Sequence, residues 1–264
     1  MALERDQAAT ADALRSVCAT RYVAPLREGG SLPGLVEADD EGMYVMKFTG
    51  AGQGVAALVA EVVAGELARS LGLLVPELVV AWLESELARA EPDLEIQELA
   101  AASVGANLGV DFLPGALPFT PAAASAMDPE LAAQIVWLDA LVTNVDRTPR
   151  NPNLLAWHGR VWLIDHGAAF YRQHGDAPLA DSADAPFPLI RDHVLLSRAG
   201  SIIDADERLA GVAEQAISRS VALVPGTWLG DDPAGRRADF ESFLRQRLSA
   251  PRAFVEEAED ARAA

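Results

Sequence analysis

Between Leu138 and Phe170 the chain reads LDALVTNVDRTPRNPNLLAWHGRVWLIDHGAAF, and no other stretch narrows the possible architecture as far. Leu131, Ile135, Leu138 and Val142 fall on one face of an apolar helix leading into it. Pro149 and Pro152 forbid that helix from running on through 144–153. Asn153–Trp157 and Arg160–Ile164 then read as two short strands about a His158-Gly159 turn, and Asp165 stands where the second strand ends. Asp146, Asn151 and Asp165 are thereby delivered to one end of a small hairpin.

Two carboxylates and an amide in that arrangement suit phosphoryl transfer. One aspartate orients the attacking hydroxyl and takes its proton, while an Asn and a second Asp hold magnesium through oxygen. The spacing D-x-x-x-x-N followed by a strand-borne D-x-G is the kinase pattern, here Asp146 to Asn151 and Asp165-His166-Gly167. Taken alone, D-x-x-x-x-N is also what an Asp/Asn/Pro-rich turn looks like; the hairpin and the D-x-G in register favour the chemical reading.

The 264 residues, half of them hydrophobic, suffice for a sizeable core in one two-lobed domain or two small ones. A net charge of −18 repels phosphate backbones and anionic lipid, so neither general nucleic-acid binding nor a membrane surface is expected. The lone Cys18 permits no intrachain disulfide and no cysteine-based zinc site, which suits a cytoplasmic protein. No apolar run reaches transmembrane length, and the first residues are too polar for a signal peptide.

Along the chain, residues 4–18 read as a helix and Pro25–Pro33 as a turn-rich stretch. Met43–Phe48 reads as a strand, with Val45 and Lys47 on one face. An ammonium among apolar neighbours either turns to solvent or has an anionic partner. After a turn at Gly50–Gly54, Val55–Leu71 is a helix carrying Glu61 and Glu66, ended by Gly72. A glutamate there is placed to hold the strand lysine; Glu61 is preferred and Glu66 is the fallback. Leu78–Leu83 and Leu94–Leu99 read as strands, Val104–Gly109 as irregular and 116–128 as a Pro/Ala-rich linker. Gly167–Pro188 reads as a mobile loop, and Asp204–Val224, Arg236–Leu248 and Phe254–Ala264 as helices. Trp137, Trp162 and Trp228 read as core. The expected fold class is α+β, a small sheet with one main helix over 1–115 and a mainly helical remainder over 116–264.

As a set, Gly29-Gly30-Ser31, Lys47 in YVMKF, Glu61, LVTNVDRTPRNPN and LIDHGAAF resemble the HipA-type kinases, a family related to the phosphatidylinositol 3- and 4-kinases. The resemblance covers roughly residues 25–170. It implies a bilobal protein-kinase-like fold, ATP and Mg2+ as cofactors, and transfer of the γ-phosphoryl to a hydroxyl, foremost a protein Ser or Thr. By the same resemblance Lys47 contacts the phosphates and Glu61 orients it, while Gly30 and Ser31 cover them. Asp146 is the base, Asn151 and Asp165 hold the metal, and Asp111, Phe112 and Leu113 form the hinge to adenine. Arg147 either pairs with phosphate or the loop after Asp165, or holds backbone carbonyls. Ser31 is a candidate autophosphorylation site. Thr148 stands where family members often carry His. The alternatives are a nucleotide-binding regulator without turnover and a kinase of a small, cationic molecule. Some HipA kinases are toxins with antitoxin partners; this chain is shorter than those, and the resemblance does not extend to a toxin role or an antitoxin partner.

Overall fold

In the computed structural model, the described residues are 13–26, 32–52, 54–90, 93–120, 123, 126–174 and 179–264. Five strands form a closed barrel: β1 (Ser16–Pro25), β2 (Gly34–Ala38), β3 (Met43–Lys47), β4 (Leu78–Leu83) and β5 (Gly105–Asp111), in the order β1-β2-β3-β5-β4. Four pairings are antiparallel; β1 closes the ring by running parallel to β4, with Ser16 opposite Val80 and Cys18 opposite Trp82. Alternation along each strand sends Val17, Val36, Tyr44, Met46, Val79 and Ala81 into a common interior. Two short helices, α2 (Ser85–Ala90) and α3 (Leu94–Ala101), contribute Ala88 and Ala100 to that interior.

Helix α1 (Gly54–Ser70) joins the barrel to the helical part. Leu58, Val62, Val63 and Leu67 pack in one core with Leu78, Leu108 and Val110 of the barrel and with the C-terminal helices. Those helices are α4 (Pro129–Leu141), α5 (Ile202–Ala222), α6 (Pro233–Leu248) and α7 (Ala253–Ala263). Asp128 caps α4 by accepting from the Glu130 amide, with Pro129 in the first turn; Ser201 and Asp232 cap α5 and α6 in the same manner. Beyond the barrel, β6 (Leu117–Pro118), β7 (Leu154–Trp157) and β8 (Arg160–Leu163) pair in that order as a small antiparallel sheet. Its hairpin turns at His158 and Gly159, both left-handed (φ +48° and +73°), as a tight two-residue turn requires.

Several expectations need correction. Ser16–Pro25 is a strand, so the helix expected over 4–18 fails at its end; residues 1–12 lie outside the described residues. Leu94–Ala101 is a helix, not a strand: Asp93 accepts from the Glu95 amide, and Ile96 and Ala100, one helical turn apart, are the buried pair. The stretch expected to be irregular at 104–109 is most of β5, the strand bonded to both β3 and β4. The expected small sheet is closed into a barrel, and the linker contains β6. Segment 167–188 holds two short 3-10 turns and buries Ala169, Phe170, Leu179 and Phe187. Trp137 and Trp228 are buried, whereas Trp162 is half-buried.

Candidate active site

Lys47 does not turn to solvent. Its Nζ donates to Glu61 Oε2 at 2.6 Å and to Asp165 Oδ1 at 2.8 Å. Strand β3, helix α1 and the end of β8 are thus joined through one ammonium, across 118 residues of sequence. Glu66 pairs with Arg69 instead. Burial works against the Lys47 charge, but the pull of Glu61 and then Asp165 outweighs it, and the lysine pKa is raised. Burial likewise opposes the Glu61 carboxylate, yet the Lys47 charge and a contact from His166 hold its pKa well below the usual range. A narrow cleft opens here, lined by Lys47, Ala51, Gly54, Ala57, Asp165 and Gly167 among others.

The turn between β3 and α1 forms one wall. Asn107, fully buried on β5, accepts from the Thr49 amide (2.9 Å) and hydroxyl (3.1 Å). Its own amide donates to the carbonyls of Ser103 and Gly105. Ser103 Oγ accepts from the Gly50 amide at 3.0 Å. All four hydrogen-bonding positions of the Asn107 side chain are used, which fixes the Gly-rich turn to the barrel.

Asp146 sits after α4. Its Oδ2 accepts from Asn151 Nδ2 at 2.8 Å and from Asn153 Nδ2 at 3.3 Å. The Asn153 amide also lies within 3.5 Å of the Asp165 carbonyl, so it ties Asp146 to the Asp165 segment. Burial pushes the Asp146 carboxyl up; the Asn153 hydrogen bond works the other way and the Asp165 charge adds to the rise. Thr148 and Asn151 exchange backbone hydrogen bonds at 3.0 and 3.1 Å, which closes the turn presenting Asn151.

Beneath that loop lies an ionic cluster. Asp139 of α4, fully buried, accepts from Arg147 Nε (2.5 Å), Asn144 Nδ2 (2.9 Å) and His193 Nε2 (3.0 Å). The Leu195 amide donates to His193 Nδ1, so Nε2 is the protonated nitrogen that faces Asp139. Burial, resisted by the Arg147 charge and the His193 hydrogen bond, is overcome, and the Asp139 pKa is lowered. Burial lowers that of His193. Arg147 Nη1 donates to the Asn153 carbonyl and, at 3.4 Å, to that of Ile164. Of the two roles open to Arg147 in the sequence, the geometry gives it the carbonyls.

Four non-glycine residues around the site are left-handed: Thr143, Asn153, Asp165 and Phe170 (φ +49° to +56°). Each costs on the order of 1–2 kcal/mol, which the surrounding contacts must offset. Asp111, Phe112 and Leu113 end β5 and begin the crossing to the helical part; they are not among the residues lining the cleft beside Lys47. Burial pushes the Asp111 carboxyl up. Gly30 and Ser31 lie outside the described residues. Asn153, Asp139, His193, Asn107 and His166 went unread in the sequence. For Asp139 a signal existed, a carboxylate inside an otherwise apolar helix; for His193 there was none.

A family model described as HipA-like kinase matches residues 20–250. The crystal structure of a Helicobacter pylori proinflammatory kinase, CtkA, is similar over 91% of this chain and 96% of that one, with a TM-score of 0.56. At 13% identity that similarity is one of fold. No curated protein matches the chain. No described helix is long and apolar enough to cross a membrane. Since the matched region takes in most of the barrel, the lysine–glutamate–aspartate junction and the loop around Asp146, the chain belongs to the HipA-like kinase family, whose chemistry is phosphoryl transfer.

Proposed function

We propose that the chain is a kinase that uses Mg-ATP and transfers the γ-phosphoryl to a hydroxyl, foremost that of a protein Ser or Thr. The observation that carries this is the meeting of Lys47, Glu61 and Asp165 at one cleft, with Asp146 bound to the same assembly through Asn153. On this reading the barrel with α1 is the nucleotide lobe, residues 1–115, and 116–264 is the second lobe. Lys47 neutralises phosphate charge while Glu61 keeps its ammonium aimed into the cleft. Leu108, opposite Lys47, is three residues from Asp111, roughly 10 Å along a strand, enough to separate phosphates at Lys47 from an adenine at 111–113.

The donor set suits magnesium. Asp165 is half-exposed at the cleft, and Asn151 engages Asp146 through its amide nitrogen, which leaves its oxygen available. Magnesium takes part of its shell from water and substrate phosphates, so two side-chain oxygens are enough to hold it. When bound, the ion would neutralise the charge of the transferring group. Asp146 would accept the proton of the acceptor hydroxyl; its raised pKa makes it a better base than an exposed carboxylate.

Radiolabel transfer from γ-labelled ATP to the chain itself or to a lysate tests the proposal. The wild type should incorporate label in a magnesium-dependent manner, and Asp146→Asn and Asp165→Asn should lose it. Equal incorporation by all three proteins would overturn it. The net charge of −18 favours a basic acceptor, so basic Ser/Thr peptides are the first substrates to try, and polyamine-like hydroxylated amines the second.

A further inference from the structure

We infer that His166, the middle residue of Asp165-His166-Gly167, is a positioning residue that holds Glu61, and through it Lys47, in register with Asp165. This deepens the kinase reading, and the activity part of its test rests on that reading.

The side chains of Asp165 and His166 part company at the left-handed backbone of Asp165. Asp165 is half-exposed at the cleft, whereas His166 is fully buried under α1. His166 Nδ1 lies 3.3 Å from Glu61 Oε1, the carboxylate oxygen that Lys47 does not use. A carboxylate at 1% exposure needs both oxygens engaged, and the histidine supplies the second partner. An ionised Glu61 only accepts, so Nδ1 must carry the proton; Nε2, buried with no hydrogen-bond partner among the described residues, is then a bare lone pair, which costs less than a buried N–H would.

Two more contacts bind the same segment to the same helix. A Cβ at Gly167 would sit 3.4 Å from Ala57, so the glycine lies directly against α1. Gln173 Nε2 donates to the Ala56 carbonyl at 3.2 Å. The ring Lys47–Glu61–His166–Asp165 is therefore closed through one peptide bond. A shift of α1 relative to the 165–173 segment would break the Glu61–His166 contact and release Lys47 from one of its two carboxylates.

Two variants separate the hydrogen bond from packing. The amide nitrogen of Asn falls near the place of histidine Nδ1, whereas that of Gln falls near Nε2. His166→Phe and His166→Gln should slow label transfer by ~10- to 100-fold, the range for a lost partner of a site residue, while leaving Mg-ATP affinity within a few-fold. His166→Asn should recover most of the rate. Phosphate transfer by His166→Phe at the wild-type rate, or equal loss in the Phe, Gln and Asn variants, would overturn the inference. A readout independent of activity is the nitrogen-15 tautomer pattern of the unliganded protein. The chain has four histidines, and the His166 signals are those missing from His166→Asn. A proton on Nδ1 whose resonance moves in Glu61→Gln supports the inference; a proton on Nε2 overturns it even if the protein proves to transfer no phosphate.

Discussion

Replacing Asp139 with asparagine should unfold the protein at a markedly lower temperature although no atom of the cleft is touched. Asp139 is fully buried and accepts three hydrogen bonds, one of them from the equally buried Arg147. An asparagine offers one oxygen in place of two and turns an N–H2 toward a donor. It also leaves the guanidinium without a counter-charge. Removing one member of a buried ion pair costs about 3–5 kcal/mol. At about 2–4 °C per kcal/mol for a chain of this size, the melting temperature should fall by roughly 6–20 °C. Thermal unfolding followed by circular dichroism measures it directly. A fall under about 2 °C would refute the idea that the pair is a dry, fully desolvated one, since a hydrated pair is worth only ~0–1 kcal/mol. The double variant Asp139→Leu/Arg147→Met should regain much of the lost stability, because no charge remains buried. It should still transfer little phosphate, because Arg147 also holds the carbonyls of Asn153 and Ile164.

His193 has a pKa lowered by burial, so the unfolded chain binds a proton that the folded chain refuses. Stability should therefore be flat above about pH 6.5, the unfolded histidine's value, and decline as the pH drops below it; His193→Gln should flatten that decline in urea titrations at several pH values. Lys47→Met should abolish both phosphate transfer and the thermal shift produced by Mg-ATP, and should lower the melting temperature even without nucleotide because Glu61 is left with His166 alone. Asn153→Ala should slow transfer and cost about 1–3 kcal/mol, losing a bridge and straining a left-handed residue. Asn153→Gly should recover the part of the stability lost to strain but not the rate, which steady-state kinetics beside denaturant melts will distinguish.

The parts of the fold that were legible are those in which a local period coincides with burial. Met43–Lys47 alternates, α1 and α4 repeat every three to four residues, and the hairpin at His158-Gly159 announces itself by its turn. Leu94–Ala101 misled because its first four residues, LEIQ, alternate apolar and polar as a strand does; the Asp93 cap settles it as a helix, and a short run carries too little sequence to choose. β5 was hidden by Gly105, Asn107 and Gly109, poor strand residues for which the barrel has uses. A Cβ at Gly109 would meet Val79 at 2.7 Å, and Asn107 is consumed in holding the 49–50 turn. Within the site, the aspartates and Lys47 could be read because their spacing is itself the signal. Asp139, His193 and His166 act on partners 54 and 105 residues away, and no spacing within the chain announces those pairings.

The parallel seam between β1 and β4 bears on the birth of the molecule. An unclosed sheet presents ribbons of bare amides and carbonyls to which any extended neighbour can adhere. Here β1 finds its second companion only once Leu78–Leu83 has been made, some 60 residues later. Until then the emerging polypeptide carries two sticky margins, on β1 and on β3, which the finished protein conceals. Vulnerability to aggregation is therefore concentrated during synthesis, before Gly105–Asp111 has emerged to join β3 to β4, rather than in the folded enzyme.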